Sequence, residues 1–140
     1  MNLIRWIAVG YAVVLAVVTA LNYVPGLTDS EGRAFGVFAL DIYDDLLHGA
    51  SALWAAIAAW VSTRASTIYF KTFGSLYLLD GVLGLITGSG YLDLGILIYG
   101  IQSMPLGFKI LANLPHIALG GVAAFTGFVL APKYARDRSL

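Results

Sequence analysis

Three residues in this 140-residue chain set polar chemistry into apolar surroundings: His48 in DIYDDLLHGASALW, Asp80 in FGSLYLLDGVLGLITG and His116 in NLPHIALGG. His48 and His116 are the chain's two histidines. Neutral imidazole is a common ligand, and two from facing helices can form an axial pair for haem, a pigment or a metal. A carboxylate inside a bilayer costs about 2.5 to 3.5 kcal/mol on insertion scales. Asp80 is therefore expected to face other helices and to find a partner in His48, His116 or Tyr77. Two readings stay open at this point. The three residues either hold a ligand or lock helices together by hydrogen bonds, and Asp80 could also serve proton- or cation-coupled transport.

Asp41, Asp44 and Asp45 form a polar mouth ahead of His48. Asp45 and Asn113 both suit an N-cap, where a side-chain oxygen accepts from free first-turn amides and an acid complements the helix dipole. In NLPH, that reading puts Pro115 in the first turn, where its missing N–H matters little.

The elements that must position these residues are apolar. Of the whole chain, 59% is hydrophobic and 11% charged, with mean hydropathy +0.84. Such a chain has the bilayer as its solvent. Four stretches reach the roughly 20 residues a span needs: about 3–24, 42–61, 68–86 and 114–131. The first is read as a retained helix, although Val18-Thr19-Ala20 resembles a signal cleavage site. The expectation is one all-α integral membrane domain over 1–140, a bundle of four transmembrane helices. Residues 62–67 would make a tight turn and 25–41 an outer loop. Residues 88–112, apolar but broken by Gly and Pro, would form an interfacial or re-entrant segment between helices 3 and 4.

With four spans, Arg5, Arg64, Lys71, Lys133, Arg136 and Arg138 fall on one side, against Arg33 and Lys109 on the other. By the positive-inside tendency both termini are cytoplasmic. Asp29, Glu31, Asp41, Asp44, Asp45 and Asp93 then lie outside, and Asp137 inside. The absence of cysteine excludes disulfides and thiolate sites. Zero net charge argues against nucleic acid as a partner.

On a helix from Asp41, alternate spacings of four and three select Asp41, Asp45, His48, Ala52, Ala55, Ala59 and Ser62. Leu46, Leu53, Trp54, Ile57, Trp60 and Val61 fall opposite. A small face admits another helix closely, and a bulky one suits lipid. Asn113, His116, Gly120, Ala123 and Gly127 repeat Asp45, His48, Ala52, Ala55 and Ala59 at a constant offset. The chain thus reads as two tandem hairpins in a parallel repeat.

GVFALDIYDDLLHGASALW, FGSLYLLDGVLGLITG and NLPHIALGGVAAFTG together resemble a widespread family of small bacterial membrane proteins with four helices and a duplicated Asn/Asp-Leu-x-His motif. The motif corresponds here to Asp45-Leu46-Leu47-His48 and Asn113-Leu114-Pro115-His116. This chain differs in its longer apolar stretch before the second motif, and in Ala and Ser where glycine often follows the first histidine. The family's function is unassigned, so the resemblance implies topology and location in the bacterial inner membrane without a reaction.

No soluble-enzyme site is evident, since GSGYLDLG lacks the phosphate-loop spacing. The leading expectation is a non-enzymatic accessory or scaffold protein without a cofactor, contacting lipid and a larger membrane complex or further copies of itself. The alternatives are a haem-, pigment- or metal-binding electron-transfer module using His48 and His116, and transport through Asp80.

Overall fold

A computed structural model describes residues 1–39 and 41–136. Asp137 and Arg138, counted in the charge partition above, lie outside the described residues. The elements in chain order are α1 (Leu3–Leu21), a two-stranded antiparallel hairpin of β1 (Arg33–Ala34) and β2 (Phe38–Ala39), α2 (Ile42–Val61), α3 (Thr63–Thr87), α4 (Gly95–Tyr99) and α5 (Leu106–Phe125). A π-helical turn (Thr126–Leu130) then joins α5 to α6 (Ala131–Arg136).

The helical class fits, but four transmembrane helices do not. Two helices are long and apolar enough to cross a membrane, Leu3–Leu21 and the continuous stretch Leu106–Tyr134. The reason is polar content: α2 carries Asp44, Asp45 and His48, and α3 carries Arg64, Lys71 and Asp80. Nor are there two matched hairpins. α2 and α3 are separated by Ser62 alone, whereas α3 reaches α5 through a long connection containing α4. α5 begins at Leu106, well before the expected residue 114, because LGFKILAN continues the helical pattern directly after Pro105.

Local chemistry sets the helix ends. Asn2 caps α1 by accepting from the Arg5 amide. Asp41 and Asp44 form a reciprocal capping box at the start of α2. Ser62 ends α2 and caps α3 through the Ala65 amide, while Ser66 donates its hydroxyl to the Ala58 carbonyl. Gly88, at φ 81°, stops α3 in the left-handed conformation that glycine tolerates best.

α1 packs mainly on α2, and α3 mainly on α5. At one end Asn2 bonds Thr63 and Arg5 bonds the Ala59 and Trp60 carbonyls; at the other Tyr23 donates to Asp45 and Lys109 to the Ile86 carbonyl. The interior is a seam of alanines from α2 against Ile4, Ala8, Tyr11 and Leu15, with an aromatic column of Tyr69, Phe70, Phe73 and Tyr77 from α3. Phe73 and Tyr77 stack at 3.9 Å, and Tyr11 donates to the Leu119 carbonyl at 2.8 Å. Bulky apolar side chains point outward instead, among them Trp60, Leu53, Leu79, Ile86, Leu114 and Phe125. The interior and much of the surface are thus both apolar.

α3 and α5 approach backbone to backbone. A Cβ on Gly74 would overlap the Ala124 backbone, and one on Gly120 would overlap Leu78. Gly121, one residue on, faces open space. Gly120→Ala is expected to lose about 1 to 3 kcal/mol from overpacking, offset by at most about 1 kcal/mol of helix propensity. Gly121→Ala gains the propensity without the clash. Thermal unfolding in mild detergent should rank Gly121→Ala at or above the parent and Gly120→Ala below it; equal midpoints would contradict the close contact.

Candidate functional site

Asp80 points inward from α3 at 1% exposure, one of the most deeply buried side chains. Its Oδ1 accepts from the backbone amides of Tyr91 at 2.6 Å and Leu92 at 2.9 Å, and its Oδ2 lies 2.6 Å from His116 Nδ1. Three partners replace the water that burial removes. Gly90 permits this, because a Cβ there would stand 2.8 Å from both carboxylate oxygens. The acid in α3 thus ties the connection after Gly88 to α5.

His116 joins an aromatic group with Tyr77, at 5.1 Å between ring centroids, and His48, at 6.0 Å. His48 does not touch Asp80 through any hydrogen bond. It is 95% buried, and among the described residues its Nδ1 closes no hydrogen bond of normal geometry, the nearby Asp44 backbone included. Tyr77 shares a 3.4 Å contact with the Ser51 hydroxyl below.

Above these rings is a cavity of about 580 Å³. His48, Asp80, Asn113 and His116 border it from the helices, Asp41 and Asp44 from the start of α2, and Asp93 and Tyr99 from the connection around α4. Phe35 and Phe38 of the hairpin, Phe108 and Leu119 of α5, and Val18 and Leu21 of α1 supply apolar wall. A cavity of this size with a few convergent polar groups is the usual form of a small-molecule site.

Two expected caps are corrected. Asp41, not Asp45, caps α2, because its backbone is extended and its Oδ1 accepts from the Tyr43 and Asp44 amides. Asp45 is already helical and accepts from Tyr23 and Asn22. Asn113 lies deep inside α5, where it donates to the Lys109 carbonyl and fits against Gly84. Pro115 consequently sits in the helix interior, not in its first turn.

Asp93 and Tyr99, which residue type alone does not mark as site residues, also border the cavity. Asp93 holds the Gly95 amide at 2.9 Å, and Tyr99 reaches Asp41 at 3.4 Å. The available signal was Asp93-Leu94-Gly95, a short acid followed by glycine, which favours an Asx turn.

Asp44 stands in the first turn of α2, outside the two segments that can cross a membrane. Burial, then the nearby Asp93 carboxylate, pushes its carboxyl up to about 7. The Asp41 carboxylate similarly raises the Tyr99 hydroxyl above its usual range. Among the described residues, no three His, Cys, Asp or Glu side chains converge to hold a metal ion.

Asp44 gives a pH dependence with a definite sign. Unfolded, its carboxyl titrates near 3.9, and folded near 7, so between those values the folded chain binds the additional proton. Its contribution to stability is present at low pH, declines as pH rises through that window and is gone above about 7. The difference in Tm between pH 5 and pH 8 should shrink in Asp44→Asn, with the variant more stable than the parent at pH 8. An unchanged difference would show that Asp44 is not held this way.

No protein-family model, curated protein or solved structure matches the chain, so its chemistry is read from this geometry.

Proposed function

We propose that the chain is a small accessory protein of the bacterial inner membrane that binds a small molecule in the cavity between α2, α5 and the α4 connection. The observation that carries this reading is the cavity itself: about 580 Å³, walled by apolar side chains, with His48, His116 and the Asp80 carboxylate converging at its base. A helix lock alone requires no such space. The likeness of the two His-containing motifs to a family of small membrane proteins is consistent with it, since both histidines border the cavity.

The membrane setting is supported by the two long apolar helices and the bulky side chains turned outward. Charge supports an orientation. Arg5, Arg64, Lys71 and Lys133 gather at the end formed by the start of α1, the start of α3 and α6. Glu31, Asp41, Asp44, Asp45 and Asp93 gather at the opposite end. The basic end then faces the cytoplasm, with both termini, and the cavity faces outward. Lipid is the main partner of the apolar surface, which is equally open to a larger complex or another copy.

Asp80 suits a structural part better than transport, because its carboxylate is already engaged by two amides and an imidazole. Haem or pigment binding through His48 and His116 is a distinct outcome of the same experiment. The full chain, purified in mild detergent, is heated with increasing 1-naphthylmethanol, a neutral aromatic probe. A rise in Tm that continues with the logarithm of probe concentration is expected, corresponding to about 2.7 kcal/mol of stabilisation at a hundredfold excess over Kd, and absent in Ala112→Phe, which fills the cavity. Visible absorbance lost in both His48→Ala and His116→Ala would establish the haem or pigment reading instead. No rise in Tm and no chromophore would overturn small-molecule binding.

A further inference from the structure

Resting on that reading of the cavity, we propose that its ligand is an organic cation with an apolar body. Asp41, Asp44 and Asp93 hold the positive charge, and Phe35, Phe38 and Phe108 receive the body.

Charge balance is the first observation. All three carboxylates border one cavity, and among the described residues none has a salt-bridge partner. The ion pairs among the described residues are those of Arg33 with Asp29 and Glu31, and of His116 with Asp80. Lys109 also borders the cavity but donates its ammonium to the Ile86 carbonyl at 3.1 Å. Asp44 is only 8% exposed. Like charges gathered in a partly dry site repel unless one is neutralised. Burial is the main cause of the upward push on the Asp44 carboxyl, and the lesser part, from Asp93, is that repulsion. A bound cation relieves it directly.

His48 is the second, independent observation. It borders the same cavity, is 95% buried, and leaves Nδ1 without a partner. Buried polar atoms are nearly always satisfied, and an unpaired one calls for a group that the chain does not supply. A neutral imidazole nitrogen can accept from an ammonium N–H or donate to a hydroxyl on the ligand.

The class of cation follows from the rest of the lining. A metal ion needs several donors around one point, and no group of three His, Cys, Asp or Glu provides that among the described residues. The walls are instead largely hydrocarbon and aromatic. Aromatic faces attract cations and accept apolar bodies alike. A protonated primary or secondary amine on a ring system satisfies these demands, its N–H reaching His48 as well, and the cavity is of a size that takes drug-sized molecules.

Three probes of closely similar size separate charge from shape: 1-naphthylmethylammonium, 1-naphthylmethanol and 1-naphthoate. Each is titrated calorimetrically into the full chain in nonionic detergent. The ammonium should bind at least about tenfold tighter than the alcohol, and the carboxylate should not bind measurably. Asp44→Asn and Asp93→Asn should each weaken the ammonium by about fivefold or more while leaving the alcohol's affinity unchanged. Equal affinity for ammonium and alcohol, tighter binding of naphthoate, or parallel loss of both probes in the Asp variants would overturn the cation class while leaving the cavity as a binding site. Binding of none of the three would overturn both.

Discussion

The Asp80 carboxylate governs how the cavity end of the molecule is assembled. One oxygen takes two consecutive backbone amides from the connection after α3, and the other takes the imidazole of α5. Left alone, a buried carboxylate would cost several kcal/mol. Satisfied threefold, it becomes the point from which the α4 segment is hung and the face of α5 is oriented. Gly90 has no side chain to obstruct that approach, and Gly88 turns the chain toward it. His116, fixed at Nδ1, then presents the remainder of its ring to Tyr77, His48 and the cavity.

The cavity arises from a contrast in packing. α3 and α5 are drawn together along glycines until their backbones touch, and α1 and α2 meet through an alanine seam. α2 and α5 are not drawn together in this way at the cavity end, where His48 and His116 stand 6.0 Å apart between ring centroids. The hairpin, the α4 connection and the end of α1 close around the space that remains. Tight seams on either side thus leave a gap whose lining is set by which residues happen to sit at helix ends. Helix starts favour acids for capping and for the dipole. That tendency places Asp41 and Asp44 at the cavity, and the α4 connection adds Asp93.

Much of this was legible from residue types. The apolar runs and the division of α2 into small and bulky faces follow from helical periodicity, and the only two histidines with Asp80 were conspicuous because polar groups rarely sit in such surroundings. The number of membrane spans was not legible, because Asp44, Asp45, Lys71 and Asp80 reduce the apolar character of α2 and α3 while those helices still pack with the apolar ones. Asn113 showed a second limit: a residue with strong cap propensity can lie inside a helix when a glycine on its neighbour, here Gly84, makes room. The amides that hold Asp80 were beyond sequence reading altogether, since any residue contributes an N–H and only the path of the loop selects Tyr91 and Leu92.

The dependence of the cavity end on Asp80 is tested most directly by residue-resolved amide hydrogen exchange in detergent micelles. In the parent chain Tyr91 and Leu92 should exchange slowly, at rates like those of the α3 interior, although they lie in a connecting segment. Asp80→Ala should release both, by about tenfold or more in rate, while α1 amides stay protected. Fast exchange of Tyr91 and Leu92 in the parent, or protection unchanged by Asp80→Ala, would contradict the claim that this carboxylate holds the site together.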